Sequence, residues 1–312
     1  MATLKELSTR AGKFSGGHRL CPGCGAGIIV RQVLAAAKNP VVVACATGCL
    51  EVSSTIYPYT AWNTSFIHNA FENAAATISG VEAAYRSLKR RKKFGLEDQE
   101  FDFIAFGGDG GTYDIGFQSL SGAMERGHKI LYICYDNGAY MNTGIQRSSA
   151  TPMGANTTTS PAGKKIPGKT QFKKELTDVM AAHYIPYVAQ AAPSNWKDLT
   201  RKVEKALSID GPSFINVLSV CPRGWRTPEE KGLEITRTAI DTCFWPLFEV
   251  ENGTDYTINY KPKNKRPIEE WLKPQGRFKH LFKPENKHLI EKIQKHIDNR
   301  WEMLLRRAGE ID

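Results

Sequence analysis

Two sets of residues in this chain have types and spacings that could do chemistry. The first is Asp109, set in Gly107-Gly108-Asp109-Gly110-Gly111, and Asn137, which follows 28 positions later in Asp136-Asn137-Gly138. A carboxylate, a side-chain amide and free loop carbonyls are the oxygen ligands Mg²⁺ takes, with its other positions left to phosphate oxygens and water. Glycines let backbone N–H groups approach such phosphates closely. The second set is cysteines. Cys21 and Cys24 form a C-x-x-C turn, Cys49 ends Ala46-Thr47-Gly48-Cys49, and Cys221 precedes Pro222. A C-x-x-C pair suits zinc, half of an iron–sulfur cluster or a redox dithiol.

The elements that must carry these residues follow from hydrophobic pattern. Apolar runs at 103–106 and 130–135 each stop at a glycine-containing turn, as buried strands do. Between them Ile115, Leu120, Ala123 and Met124 fit one face of a helix. Strand, helix and strand in one sheet make the two strands parallel. Asp109 and Asn137 then emerge at carboxyl ends, where open α/β sheets bind ligands. The runs at 41–45 and 213–220 deliver Cys49 and Cys221 to the same rim. The expected fold class is α/β, a mostly parallel sheet flanked by helices with a C-terminal extension. Further helices are predicted at 28–37, 63–85, 173–182, 196–208 and 235–244, with a strand at 185–189 and a short strand and turn after 244.

Residues 145–169 are polar, rich in Thr, Ser, Gly and Pro, and lie directly beyond the Asn137 turn. A long loop there is more often a lid or subunit contact than a tether. Residues 260–287 mix charge with proline, which predicts an extended segment without its own core. Residues 287–307 read as one helix with Ile290, Ile293, Ile297, Trp301, Leu304 and Leu305 on a stripe that needs a surface. The expected division is an α/β domain over 1–253 and an extension over 254–312.

With 312 residues, 41% hydrophobic and 24% charged, the chain can build a substantial core. It has no apolar run long enough to cross a bilayer and no signal-like segment, which predicts a cytoplasmic protein without a membrane partner. Seven cysteines in such a chain argue for metal or redox chemistry over disulfides. The net charge of +10 is scattered among acids or gathered at Lys89-Arg90-Arg91-Lys92-Lys93 and in the tail, which predicts a solvated helix end and a partner-facing tail rather than a nucleic-acid surface. A basic surface also favours encounter with an acidic electron carrier. Cys134 and Cys243 are assigned to the core, and His68 to a structural or subunit contact. Two metal arrangements compete: a local zinc site of Cys21, Cys24, Cys45 and Cys49, or a set in which Cys221 replaces Cys45. Cys45 lies on an apolar strand and is expected to face the core.

The pairing of GDG with Asn137 across a strand, helix and strand resembles the thiamine diphosphate motif. The string YDNGAYMNTG, together with AFENAAA, NTGIQRS and ATPMGA, is similar to the β subunits of the 2-oxoacid:ferredoxin oxidoreductases, a group that includes pyruvate synthase and oxalate oxidoreductase. The resemblance runs from Gly17 to about Gly253. It implies a thiamine diphosphate-binding fold in which Asp109, Asn137 and the Ala139 carbonyl hold Mg²⁺. Thr47, Gly48, Cys49, Gly108, Gly110, Gly111 and Gly138 would lie against thiamine diphosphate, and Asn142 would reach toward the reacting centre. A [4Fe-4S] cluster would sit on Cys21, Cys24, Cys49 and Cys221. The resemblance further implies α- and γ-type partner subunits, one supplying the glutamate that activates the cofactor. Ferredoxin would be the acceptor, with a 2-oxoacid or oxalate as substrate and coenzyme A as co-substrate in a pyruvate-type enzyme. Ala26 departs from the single-chain relatives, which carry a glutamate there. Gly138 stands where pyruvate-specific relatives have an acidic residue, and Arg223 where they have a smaller one, which points toward a more anionic substrate such as oxalate. The alternative is a zinc-stabilised, non-catalytic interaction subunit with a vestigial cofactor site.

Overall fold

Valine, isoleucine and phenylalanine runs at 41–46, 102–108, 131–136 and 213–218 become strands buried on both faces, the pattern of a parallel sheet covered by helices. A computed structural model describes residues 2–95 and 98–311. Its strands are β1 (Val41–Ala46), β2 (Ser65–Asn69), β3 (Asp102–Gly108), β4 (Leu131–Asp136), β5 (Tyr187–Ala191), β6 (Ser213–Leu218), β7 (Phe248–Glu251) and β8 (Asp255–Ile258). They form one sheet in the order β2-β1-β3-β4-β6-β5-β7-β8. Pairing is parallel from β2 through to β5, and β7 and β8 close that edge antiparallel.

The helices are α1 (Leu4–Thr9), α2 (Gly25–Ala36), α3 (Cys49–Ser54), α4 (Ala74–Arg90), α5 (Phe117–Glu125), α6 (Leu176–Ala181), α7 (Trp196–Ser208), α8 (Pro222–Trp225), α9 (Gly232–Asp241), α10 (Glu269–Leu272) and α11 (Lys287–Arg307). Strand alternation splits the interior in two. Val43, Ile104, Ile133 and Ile215 pack with Ile29 and Val203 of α2 and α7. Ala44, Ala105, Tyr132 and Phe214 face the other way, onto Ile78 and Leu120 of α4 and α5. A third cluster joins α9, α10 and α11 to Trp225, Trp245 and Phe278. Among the described residues no helix is long and apolar enough to cross a membrane.

Three expectations differ from the structure. The stretch 63–85 is not one helix: β2 comes first, at the sheet edge, and α4 begins at Ala74. An edge strand with its polar residues outward carries no apolar run to announce it. Ile115 is exposed, because Gly110–Ile115 forms a wide π-helical turn before α5 and only Leu120, Ala123 and Met124 face the core. Finally, residues 260–287 share a core: Trp271, Leu272, Phe278 and Leu281 are fully buried with α9 and α11. Their apolar residues are spaced by charges and prolines, so no helical or strand period shows. Ile290, Ile293, Ile297 and Leu304 of α11 are buried, and Trp301 is half-buried.

Candidate functional site

The parallel register sets the rim. Gly108 at the end of β3 pairs with Tyr135, one residue before the end of β4, and Asp136 pairs with Leu218 of β6. Cys45 pairs with Phe106, so β1 ends at the same level and the chain turns there into Thr47, Gly48 and α3. A cleft of about 340 Å³ opens over these strand ends. Ten expected residues line it: Thr47, Gly48, Cys49, Gly108, Asp109, Gly110, Gly111, Asn137, Ala139 and, at its exposed mouth, Asn142. Phe71, Tyr135, Tyr140, Met141 and Thr143 line it too and were not singled out as ligands by sequence. Gly138 does not line it. It lies in the floor at φ +76, a conformation that favours glycine.

Asp109 is completely buried at the base of the cleft. Its Oδ2 accepts a hydrogen bond from Ser148 Oγ at 2.5 Å, and its Oδ1 accepts from the Asn137 backbone N–H at 3.2 Å. Burial, and then the charge of Asp136, push its carboxyl well above the usual carboxylate range. One end of the Asn137 carboxamide lies 2.8 Å from the Ala139 carbonyl oxygen and 2.9 Å from Asp109 Oδ1. Turned with its nitrogen inward, the amide bridges both. Turned with its oxygen inward, it completes three oxygens that face one another. An octahedral Mg²⁺ with its short oxygen distances has ligand–ligand edges of about 2.9 Å, so this donor set fits that ion in type and spacing.

Asp136, the next acid along, is built differently. It accepts from Tyr113 Oη at 2.7 Å and from the Gly138 N–H at 3.1 Å, and it is ion-paired with Lys173. Tyr113 Oη in turn accepts from Lys173 Nζ and Asn216 Nδ2, each at 2.7 Å. This closed network lies beneath the turn and away from the cleft wall.

The loop 145–169 is ordered against the site. Besides the Ser148 contact, Ser149 N–H donates to Asp114 at 3.0 Å and Thr151 Oγ1 donates to the Gly138 carbonyl at 2.7 Å. Lys169 is buried, and among the described residues no acid pairs with it. Its Nζ donates to the carbonyls of Ser149, Thr151 and Phe172 at 3.2, 2.6 and 3.4 Å, and burial pulls its pKa down to about 8.

Cys21, Cys24, Cys49 and Cys221 are brought together beside the cleft. A thiolate at Cys21 or Cys221 would raise the pKa of Cys24, and Cys49 feels all three others. Burial pushes Cys24 up to about 11 and Cys49 up to about 12, and it raises Cys221 as well. Backbone N–H groups oppose this: Ala26 and Gly27 at the start of α2 favour the Cys24 thiolate, and Gly224 N–H donates to Cys221 Sγ at 3.3 Å. The C-x-x-C helix is sewn to the end of β6 by Gly25 N–H donating to the Val220 carbonyl at 2.9 Å. Only glycine allows that approach, since a Cβ on Gly25 would sit 2.7 Å from Val220 N. Cys45 is fully buried, its Sγ 3.6 Å from the Ala46 carbonyl, and Cys134 and Cys243 are buried as well. Among the described residues no three His, Cys, Asp or Glu side chains converge closely enough for a single metal ion.

Arg223, expected near the site, sits elsewhere, and His68 lies outside the site as a structural or subunit contact would. Arg223 is exposed on α8 and lines no part of the cleft. The guanidinium that does approach Gly138 belongs to Arg277, which sequence reasoning passed over in the charged tail. His68 is an exposed residue of β2, 3.8 Å from Glu51.

Residues 46–217, more than half of the chain, match the family model described as thiamine pyrophosphate enzyme, C-terminal TPP binding domain. The chain is 56% identical over 293 residues to pyruvate synthase subunit PorB of Thermotoga maritima, covering 93% of this chain and 90% of that one. It is likewise 56% identical over 292 residues to PorB of Methanocaldococcus jannaschii, covering 93% and 96%. The chain belongs to the β subunits of the 2-oxoacid:ferredoxin oxidoreductases. Ketoisovalerate oxidoreductase subunit VorB of Pyrococcus abyssi is 46% identical over 297 residues, covering 95% of this chain and 93% of VorB. Among solved structures, the 2-oxoglutarate:ferredoxin oxidoreductase of Magnetococcus marinus superposes with a TM-score of 0.52 at 20% identity, over 72% of this chain and 79% of that one, and shares the fold.

Proposed function

We propose that this chain is the β subunit of a pyruvate:ferredoxin oxidoreductase, active in the cytoplasm only with α- and γ-type partners. It would hold Mg²⁺-thiamine diphosphate and a proximal [4Fe-4S] cluster. One observation carries the reading: an oxygen set spaced for Mg²⁺ lies on the same strand-end rim as four clustered cysteines. Relatives named for pyruvate, at 56% identity, favour pyruvate with coenzyme A over branched 2-oxoacids, for which the relative stands at 46%. Of the two features that favoured oxalate, Arg223 is exposed and away from the cleft, and Gly138 alone remains.

In this reading Asp109, Asn137 and the Ala139 carbonyl hold the ion. Ser148 fixes the Asp109 carboxylate, and the backbone of Gly108, Gly110 and Gly111 lies along the diphosphate, with Thr47 and Gly48 on the facing wall. Bound thiamine diphosphate supplies the carbanion chemistry that splits a carboxylate from a 2-oxoacid carbonyl. Asn142, at the mouth, orients the substrate. Cys49 belongs to both the cleft wall and the cysteine group, which gives electrons a short route to iron. Cys21, Cys24, Cys49 and Cys221 hold the cluster, and the Gly224 N–H donating to Cys221 Sγ favours the charged sulfur. The residues 1–253 carry both sites, and 254–312 buttress them from behind. The zinc-stabilised alternative needs four thiolates closing on one ion, with Cys45 among them. Cys45 is buried in β1, away from the other three.

The test is anaerobic viologen or ferredoxin reduction by the native complex, with pyruvate plus coenzyme A, 2-oxoisovalerate, 2-oxoglutarate and oxalate supplied separately. Reduction with pyruvate foremost is expected. A complex that keeps both cofactors but reduces only with another acid would refute the pyruvate assignment.

A further inference from the structure

Arg277 lies in the 3-10 segment Gly276–Phe282 and is only 2% exposed. Its guanidinium rests 4.3 Å above the Trp225 ring and 5.0 Å from Phe278, and its Nε donates to Gln275 Oε1 at 3.0 Å. No acid pairs with it among the described residues. Buried charges are ordinarily paired, because an uncompensated one is costly. The question is which anion the cation serves.

Its surroundings answer. Nη1 is 3.0 Å from the point a Cβ on Gly138 would occupy, so the charge sits behind the turn that presents Asn137 and Ala139. Trp225, on which it stacks, donates its Nε1–H to the Asn137 carbonyl at 2.7 Å. Trp225 also ends α8, whose N-terminus the Cys221 sulfur caps by accepting from the Gly224 N–H. Arg277 does not line the cleft. The acidic groups within its electrostatic reach are Cys221, Asp136 and Asp109, and the stack on Trp225 ties it to the short helix that Cys221 begins. Asp136 is already paired with Lys173 and Asp109 faces the cleft as the proposed Mg²⁺ ligand, which leaves the cysteine side in want of a positive charge.

We propose that Arg277 is the buried counter-charge of the iron–sulfur cluster held through Cys221, a positioning residue that raises the cluster's reduction potential. The inference rests on the cluster reading above. One-electron reduction adds one negative charge to the cluster, so a fixed nearby cation stabilises the reduced form more than the oxidised form. The extension thereby contributes to electron transfer without touching substrate.

The experiment is an EPR-monitored redox titration of the assembled oxidoreductase, following the signal that a Cys21→Ser variant alters. In Arg277→Gln the reduced-to-oxidised ratio at a fixed potential should fall about tenfold, which is ~59 mV for a one-electron couple. Arg277→Lys should recover most of the shift, with iron and thiamine diphosphate contents unchanged in both. Gly138→Asp is the second variant, since aspartate adopts a positive φ more often than most residues and its side chain would start beside Nη1 and Pro152 Cδ with the arginine still in place. It should lower the potential in the same direction, and it decides the matter if Arg277→Gln does not assemble. An unchanged potential in a variant that keeps its cluster, or equal losses in the Gln and Lys variants, would overturn the inference alone. A wild-type complex without cluster iron and sulfide would overturn both the inference and the reading beneath it.

Discussion

The layer beneath the cleft floor and the strand-end rim that lines the cleft are both polar, yet they are finished differently. Beneath the floor, Asp136 has Lys173, Tyr113 and a backbone N–H, and its charge is answered within the chain. At the rim, among the described residues, Asp109 has a serine and an amide but no paired cation, Cys21, Cys24, Cys49 and Cys221 lie within electrostatic range of one another, and no acid pairs with Arg277. A closed network holds the fold, whereas an open one of the same composition marks where a ligand belongs.

The sharpest way to break this contrast is to neutralise one acid in each region. Asp109→Asn should cut pyruvate-dependent viologen reduction more than ~100-fold, beyond the range for outer-shell partners of a metal. Its unfolding midpoint without cofactor should be at least that of the wild type. Asp136→Asn should do the reverse. It leaves the half-buried Lys173 with Tyr113 Oη but, among the described residues, no paired acid, at a cost of about 1–3 kcal/mol read by denaturant unfolding. If both variants lose stability equally, the distinction between floor and rim is wrong.

Ser148→Ala removes the hydroxyl that holds Asp109 and should weaken Mg²⁺ activation about 10- to 100-fold, measured as the Mg²⁺ dependence of activity at saturating thiamine diphosphate. Trp225→Phe keeps the ring but deletes the hydrogen bond to Asn137. The loss of about 1 kcal/mol should appear as a roughly fivefold weaker apparent cofactor affinity.

The smallest effect concerns Lys169, whose folded-state pKa is pulled down to about 8 by burial. The unfolded chain binds this proton more readily, so the lysine's contribution to stability should rise as pH climbs from about 8 toward the ordinary lysine value near 10.4. The difference in melting temperature between wild type and Lys169→Met should change over that window in the wild type's favour. A difference independent of pH would mean that the amine is not held in a dry site.

Much of the rim was legible because strand ends announce themselves. Apolar runs ending at Gly107 and Asp136 located Asp109 and Asn137, and the apolar strand around Cys45 separated that cysteine from Cys49. The rest had no local signal. Ser148 is one serine in a polar loop, and only the folded chain brings it to Asp109. Phe71 follows an edge strand whose pattern was mistaken for part of a helix. Arg277 was invisible for a different reason: in a stretch dense with Lys, Arg and Pro, nothing in composition distinguishes the one cation that is buried from the many that are solvated.

The most direct test of the central claim, that one chain holds two separate cofactor sites on one rim, is the cofactor content of anaerobically purified complexes. Iron, sulfide, zinc and thiamine diphosphate would be measured in wild type, Asp109→Asn and Cys221→Ser. The account predicts that Asp109→Asn loses thiamine diphosphate and keeps its iron and sulfide, while Cys221→Ser loses iron and sulfide in part and keeps thiamine diphosphate. Stoichiometric zinc in place of iron and sulfide in the wild type, undiminished iron and sulfide in Cys221→Ser, or full retention of thiamine diphosphate in Asp109→Asn would contradict it.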